Sequence, residues 1–172
     1  MDIFVEQIVA KKKDGKQIAI IVGTLLLALL LAAVVVMFSL YLYILVPVLL
    51  IGLGYGAWWL ITQQNIEFEY SVTNGDIDID QITARRKRKR IVSVGGGKIE
   101  SAGRYDAAKW ANRKIDRFVM AAPSPHEEEL YFFTYHSKKR GHTLVVFQPE
   151  ERVREALYKA LPRLVQLDWD KT

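Results

Sequence analysis

Cysteine is absent from the 172 residues. That excludes a disulfide framework, a thiolate zinc site and a cysteine nucleophile, and it agrees with a reducing surrounding for any water-soluble part. A second absence is larger. Residues 17–66 contain no Asp, Glu, Lys or Arg. Fifty uncharged residues in a row exceed the buried helix of any soluble domain. About 110 residues follow this stretch, enough for one small domain with its own core.

Catalytic signatures are missing as well. There is no G-x-S-x-G, H-E-x-x-H or G-x-G-x-x-G. Gly95-Gly96-Gly97-Lys98 lacks the Ser or Thr that follows the lysine of a phosphate loop, because Ile99 stands there; the glycines read as a bulge or turn. The histidines are His126, His136 and His142. His136 and His142 flank one turn as expected cross-strand neighbours, but two imidazoles without a third ligand make no zinc site. Asp76, Asp78 and Asp80 share one face of a strand and read as solvent-facing acids. No catalytic residue, metal or cofactor is expected, and the chain reads as non-enzymatic.

The uncharged stretch divides into two apolar spans, 18–38 and 44–61, each close to the ~20 residues that cross a bilayer core. Between them lie Tyr41 and Tyr43, residues suited to an interface, then Pro47, tolerated in a first helical turn. Trp58 and Trp59 mark the far interface. The expectation is a tight two-helix transmembrane hairpin over residues 17–62. Lys11, Lys12, Lys13 and Lys16 precede the first span and a basic run follows the second, so the positive-inside rule places both termini in the cytoplasm of a multi-pass protein of the cell membrane. Gly52 and Gly56 form G-x-x-x-G, a helix-packing face. Its expected partner is the first span, through Gly23, Ala28 and Ala32, with homo-oligomer contact as the alternative. Thr24 is the one polar residue in mid-span, so a transport path has no candidates. Residues 1–16 read as an interfacial helix, capped by Asp2, with Ile3, Phe4, Val5 and Ile8 as its apolar stripe, or equally as a frayed tail.

Residues 63–172 form the soluble domain. Residues 66–73 and 76–80 alternate apolar and polar side chains around Asn74-Gly75, a strong hairpin signal. Further strands are expected at 91–94, 98–102, 116–122, 130–136 and 143–147. Residues 105–114 are ambiguous between a helical turn and a loop. After Pro149 the period changes to a helix, with Val153, Leu157, Leu161 and Leu164 as its buried stripe and Pro162 as its end or kink. The fold class is therefore a membrane α-helical hairpin plus an α+β domain, the latter an antiparallel barrel of six to seven strands capped by a C-terminal helix.

This element order resembles the pleckstrin-homology-like fold over residues 66–165. Over the whole chain, Met1-Asp-Ile-Phe-Val-Glu-Gln7, the stretch 68–80 and Arg86-Lys-Arg-Lys-Arg-Ile91 resemble a family of two-span membrane proteins from Gram-positive anaerobes. That resemblance implies the architecture and no chemistry.

From residue 63 onward there are twenty Lys and Arg against sixteen Asp and Glu, and six of the twenty are consecutive: Arg85, Arg86, Lys87, Arg88, Lys89 and Arg90. Without them the domain would be acidic. The run is expected in the connection between two strands, beside the membrane. Six adjacent cations attract anionic headgroups at about 1 kcal/mol each near the surface, or they fix topology alone. In pleckstrin-homology-like domains basic residues in strand connections often hold lipid phosphates, which implies lipid contact here. The best-known such site lies between the first two strands, where this chain has the acidic Asn74-Gly75-Asp76 turn. No aromatic is interleaved with the run for base stacking, which argues against nucleic acid. The expected role is binding or scaffolding at the inner membrane face through anionic lipid or a protein partner. The alternative is a small accessory subunit of a membrane complex, held through Gly52 and Gly56.

Overall fold

The computed structural model describes residues 4–169. Asp2 and Ile3, assigned above to a cap and an apolar stripe, lie outside them. The chain divides into two compact units: residues 12–66 with 83–85, and the remainder.

In the helical unit, α1 (Gly15–Met37) begins at Asp14, whose N–H donates to Gln17 Oε1 at 3.2 Å. A one-turn helix α2 (Ser39–Leu42) leads to α3 (Val46–Thr62), with Pro47 in its first turn, where no intrahelical donor is needed. Helices α1 and α3 pack on each other. Among the described residues, α1 alone is long and apolar enough to cross a membrane; α3 is apolar but has 17 residues. Of the two spans expected, one helix therefore meets this length and the other falls short of it.

The other unit carries eight strands: β1 (Phe4–Ala10), β2 (Ile66–Thr73), β3 (Asp76–Thr83), β4 (Lys87–Gly95), β5 (Ile99–Arg104), β6 (Arg117–Ala121), β7 (Tyr131–Ser137) and β8 (Gly141–Phe147). They form two four-stranded sheets, β1-β2-β3-β4 and β5-β7-β8-β6, with β6 parallel to β8. The expected antiparallel barrel of six to seven strands is therefore corrected, for the described residues, to eight strands in two sheets, one antiparallel and one mixed. A one-turn helix α4 (Ala107–Trp110) resolves the ambiguous segment, and α5 (Glu151–Ala160) and α6 (Arg163–Trp169) close the chain.

The N-terminal segment is a strand, not the expected interfacial helix. β1 runs antiparallel to β2 from Phe4↔Thr73 to Ala10↔Glu67. Gln7 is the reason this register holds. Its side chain is buried, donates Nε2–H to Gln148 O at 3.1 Å and accepts from Glu150 N at 2.7 Å. An amide buried at the β8–α5 junction satisfies two backbone groups that would otherwise be orphaned.

The core lies between the sheets. Phe68, Tyr70 and Val72 of β2 and Ile77 and Ile79 of β3 face it, with Phe133, Val145 and Phe147 from the second sheet. Tyr70 meets Phe147 edge-on at 5.6 Å, and Phe147 meets Phe133 at 5.3 Å. The Tyr70 hydroxyl donates to Ala121 O and accepts from Gln148 N at 3.4 Å. Both faces of β7 and β8 are covered, because Trp110 of α4 packs on Phe132 at 4.8 Å over the outer side of the second sheet, with Leu144 and Val146 beneath. Two glycines are required by geometry. Gly75 holds φ +92° in the β2–β3 turn after Asn74 at φ 50°. A Cβ on Gly96 would stand 2.7 Å from Gly75 O and 2.8 Å from Ala160.

The helical stripe is corrected at one position. Val153, Leu157 and Leu161 are buried, but Leu164 is 79% exposed and Val165 takes its place. Leu161 is extended before Pro162, so α5 ends there and α6 restarts with a different phase.

Replacing Tyr70 with Phe leaves the Ala121 carbonyl and the Gln148 N–H without their buried partner. The expected loss is about 2 kcal/mol of unfolding free energy, read from chemical denaturation of the full chain in detergent; an unchanged midpoint would contradict the linking role of the hydroxyl.

Candidate functional site

The basic run is distributed between a turn and a strand. Ala84 and Arg85 both have positive φ, 54° and 55°, the two-residue geometry that matches strand twist. Ala84 N donates to Asn65 O at 2.8 Å, so this turn lies against the residue where the chain has just left α3. From Lys87 onward the run is part of β4. The expectation that the six cations form a strand-connecting loop is thus corrected: only Arg85 and Arg86 lie in the turn. Six consecutive cations offer no periodic signal for this, since a basic run has no intrinsic strand preference; pairing with β3 decides it.

That pairing is electrostatic as well as hydrogen-bonded. Arg90 Nε is 2.9 Å from Asp80 Oδ1, its Nη2 donates to Asp80 Oδ2 at 3.3 Å, and its Nη1 is 2.9 Å from Asp78 Oδ2. Arg88 Nη2 donates to Glu69 Oε2. The forked guanidinium matches a carboxylate with two parallel bonds, which a lysine cannot do. Asp78 and Asp80 are therefore not the solvent-facing acids expected above. Asp80 is buried beneath Arg90, and Glu69 beneath Arg88. Gly95 has Asp76 alongside, a Cβ there standing 3.0 Å from Asp76 Oδ1. Burial pushes the Glu69 carboxyl above its usual range, with the Glu6 and Asp80 charges adding to the rise and Arg88 opposing it.

The structure therefore separates the six cations. Arg88 and Arg90 neutralise acids of β2 and β3. Lys87 and Lys89, alternating with them along the strand, are exposed and have no carboxylate within 4.0 Å among the described residues. Only part of the run is available to an anion.

Gly52 and Gly56 line an apolar groove of about 390 Å³ between α1 and α3, opposite Thr24 and Ala28. A Cβ added at either glycine would meet nothing within 4 Å. The two helices are thus not in closest contact there, and Gly23 and Ala32 do not line the groove. Thr24 Oγ1 donates to its own helix at Ile20 O, 2.8 Å.

His136 and His142 are register partners across β7 and β8, and His142 Nε2 is 3.2 Å from Glu100 Oε2. No group of three side chains able to hold a metal ion occurs among the described residues. A polar cleft of about 620 Å³ lies between β1 and the start of α5, lined by Gln7, Glu129, Gln148, Glu150, Glu151 and Arg154. Neither the β3 aspartates nor the histidines reach it.

A family model described as "Bacterial PH-like domain (DUF6106)" matches residues 1–167. No curated protein and no solved structure matches the chain.

The raised Glu69 carboxyl has a consequence for stability. The folded chain holds this proton more tightly than the unfolded chain. Its stabilising contribution is complete below the ordinary glutamate range and is lost as pH rises through the higher folded value. The Glu69→Gln variant is expected to lose less stability than the parent between about pH 4 and neutrality, measured as denaturation midpoints over a pH series. Parallel profiles would refute the assignment.

Proposed function

The chain belongs to the bacterial pleckstrin-homology-like domain family, and from that premise we propose that it is a membrane-anchored binding module. Helices α1 and α3 form a two-span hairpin, the domain and both termini stand on the cytoplasmic side, and the domain acts as a non-enzymatic scaffold whose exposed cations meet anionic lipid headgroups.

One observation carries the anchor. The chain leaves the first sheet at Ala10 and returns at Glu67, and these two residues are Cα partners in adjacent strands. Paired strands lie ~5 Å apart. A single crossing would place the two ends of the helical segment on opposite sides of a hydrocarbon core ~30 Å thick. An intact β1–β2 pair requires an even number of crossings, so if α1 spans, the chain must cross back. Helix α3 is the segment available for the return. Its 17 residues rise about 26 Å, at the lower limit for a span, and Leu45 and Gln63 flank it without charge. A cleaved leader fits less well, because removing α1 would also remove β1 and with it Gln7, which satisfies Gln148 O and Glu150 N.

Orientation rests on charge. Lys11, Lys12, Lys13 and Lys16 precede α1, the basic run follows α3 and its turn, and the α1–α3 connection carries none. The lipid reading rests on Lys87 and Lys89, the two cations of the run that β4 leaves exposed and unpaired with acid.

Because the chain has no cysteine, single cysteines report topology cleanly. Tyr43→Cys is expected to react with a membrane-impermeant maleimide on intact cells. Glu6→Cys and Ser124→Cys are expected to react only after permeabilisation. Labelling of Glu6→Cys and Ser124→Cys from opposite sides would overturn the hairpin.

A further inference from the structure

Two basic segments far apart in sequence meet at one carbonyl. Ile91, the residue after Arg90, accepts from Arg117 Nη2 at 3.3 Å and from Arg140 Nη1 at 3.5 Å. Arg117 opens β6, and Arg140 ends the β7–β8 turn that also contains Lys138 and Lys139. The edge of β4 that bears Lys87 and Lys89 is thereby set beside a second group of cations that the linear sequence places some fifty positions later.

The charge at this seam is not neutralised locally. Lys87, Lys89, Lys138 and Lys139 are exposed, and among the described residues none lies within 4.0 Å of a carboxylate. The nearby acids are engaged elsewhere. Asp116 Oδ2 accepts from His142 N at 2.8 Å, Glu100 pairs with His142, and Glu69, Asp78 and Asp80 hold Arg88 and Arg90. Nη1 of Arg117 is buried without an acceptor. A covered guanidinium nitrogen with no partner is costly, and a nearby anion would offset part of that cost.

We propose that Lys87 and Lys89 of β4 and Lys138, Lys139 and Arg140 of the β7–β8 turn form one cationic face that binds the phosphates of anionic phospholipid headgroups. This rests on the membrane-anchored reading above and adds to it a second, sequence-distant half of the contact. The form of the face argues for a bilayer over a soluble phosphate. The lysines stand on a strand edge and a turn, spread over a surface, with long flexible stems that follow a charged plane and do not enclose a single group. Phe118, next to Arg117 and half exposed, supplies an apolar side chain of the kind found at membrane interfaces. Nucleic acid would need a series of stacking platforms, which a single aromatic does not provide.

The test uses the full chain in a neutral detergent, with Ser93→Cys in β4 carrying an environment-sensitive fluorophore. Phosphatidylglycerol is titrated into the micelles, with phosphatidylcholine as control. The parent is expected to respond to the anionic lipid alone, with the response suppressed by salt. Lys138→Gln/Lys139→Gln is expected to raise the half-response point about tenfold, as is Lys87→Gln/Lys89→Gln. Lys138→Arg/Lys139→Arg should restore the parental value, which separates charge from a folding defect. If the turn variant titrates like the parent while the β4 variant shifts, the composite face is wrong and the lipid reading stands. If the parent does not respond to phosphatidylglycerol, both fall. A turn variant that loses affinity for a single-stranded oligonucleotide and keeps its affinity for phosphatidylglycerol would also overturn the proposal.

Discussion

The pairing of β1 with β2 is the constraint on which the rest of the chain depends. It joins residues separated by the whole helical segment, from Phe4↔Thr73 to Ala10↔Glu67, and so closes a loop that contains α1, α2 and α3. Closing such a loop costs chain entropy that grows only slowly with its length. The ladder hydrogen bonds, the burial of Gln7 and its two bonds at the β8–α5 junction oppose that cost. The consequence reaches beyond the sheet. A domain that needs a strand from before its helices and a strand from after them has fixed where the two ends of those helices must meet. The two-sheet unit therefore needs β1 as well as the residues after α3, because a fragment starting at residue 63 would lack the edge strand and leave Gln148 O and Glu150 N without their partner.

Charge follows the same economy of position. A run of six cations would repel itself in a single exposed loop. Drawn into β4, it places arginines over the acids of β2 and β3 and leaves lysines outside. The residue types fit these roles. Arg90 makes a two-point contact with Asp80 and a third with Asp78, which needs a planar fork, whereas Lys87 and Lys89 are point charges that keep their hydration. Removing Arg90 would leave Asp80 buried without its cation, a larger effect than loss of an exposed pair. The acidic β3 face, unremarkable as an isolated pattern, is the counterpart that allows the run to enter a sheet.

Much of the fold was legible because local signals agree with the tertiary result. The alternation of residues 66–73 and the Asn74-Gly75 turn correspond to β2 and the β2–β3 hairpin, and Pro149 with the acids behind it precedes α5. The misreadings share a cause. The first strand reads as an amphipathic helix because Phe4 and Ile8 are four residues apart. In the structure both are exposed, and the residue between them that is buried is the polar Gln7, made possible by partners some 140 positions away. Leu164 falls in the buried stripe only if one helical period continues through Pro162, where the helix in fact restarts. Of the candidate site, the cations themselves were legible. Their division between Arg88 and Arg90 on one hand and Lys87 and Lys89 on the other was not, because it depends on the register of β4. Nor was the approach of the 138–140 turn to β4, which the bond from Arg140 to the Ile91 carbonyl reveals.

That β1 lies on β2 in the intact chain is the arrangement on which the rest depends. Its most direct measurement is a cross-link between Glu6→Cys and Ser71→Cys, residues paired in register, formed with a mild oxidant in native membranes. Directly opposed strand residues stand within the span of a disulfide. The account predicts efficient intramolecular cross-linking of this pair and none for Glu6→Cys with Glu67→Cys, four positions out of register. Absence of the first cross-link, or equal yields for the two, would contradict it.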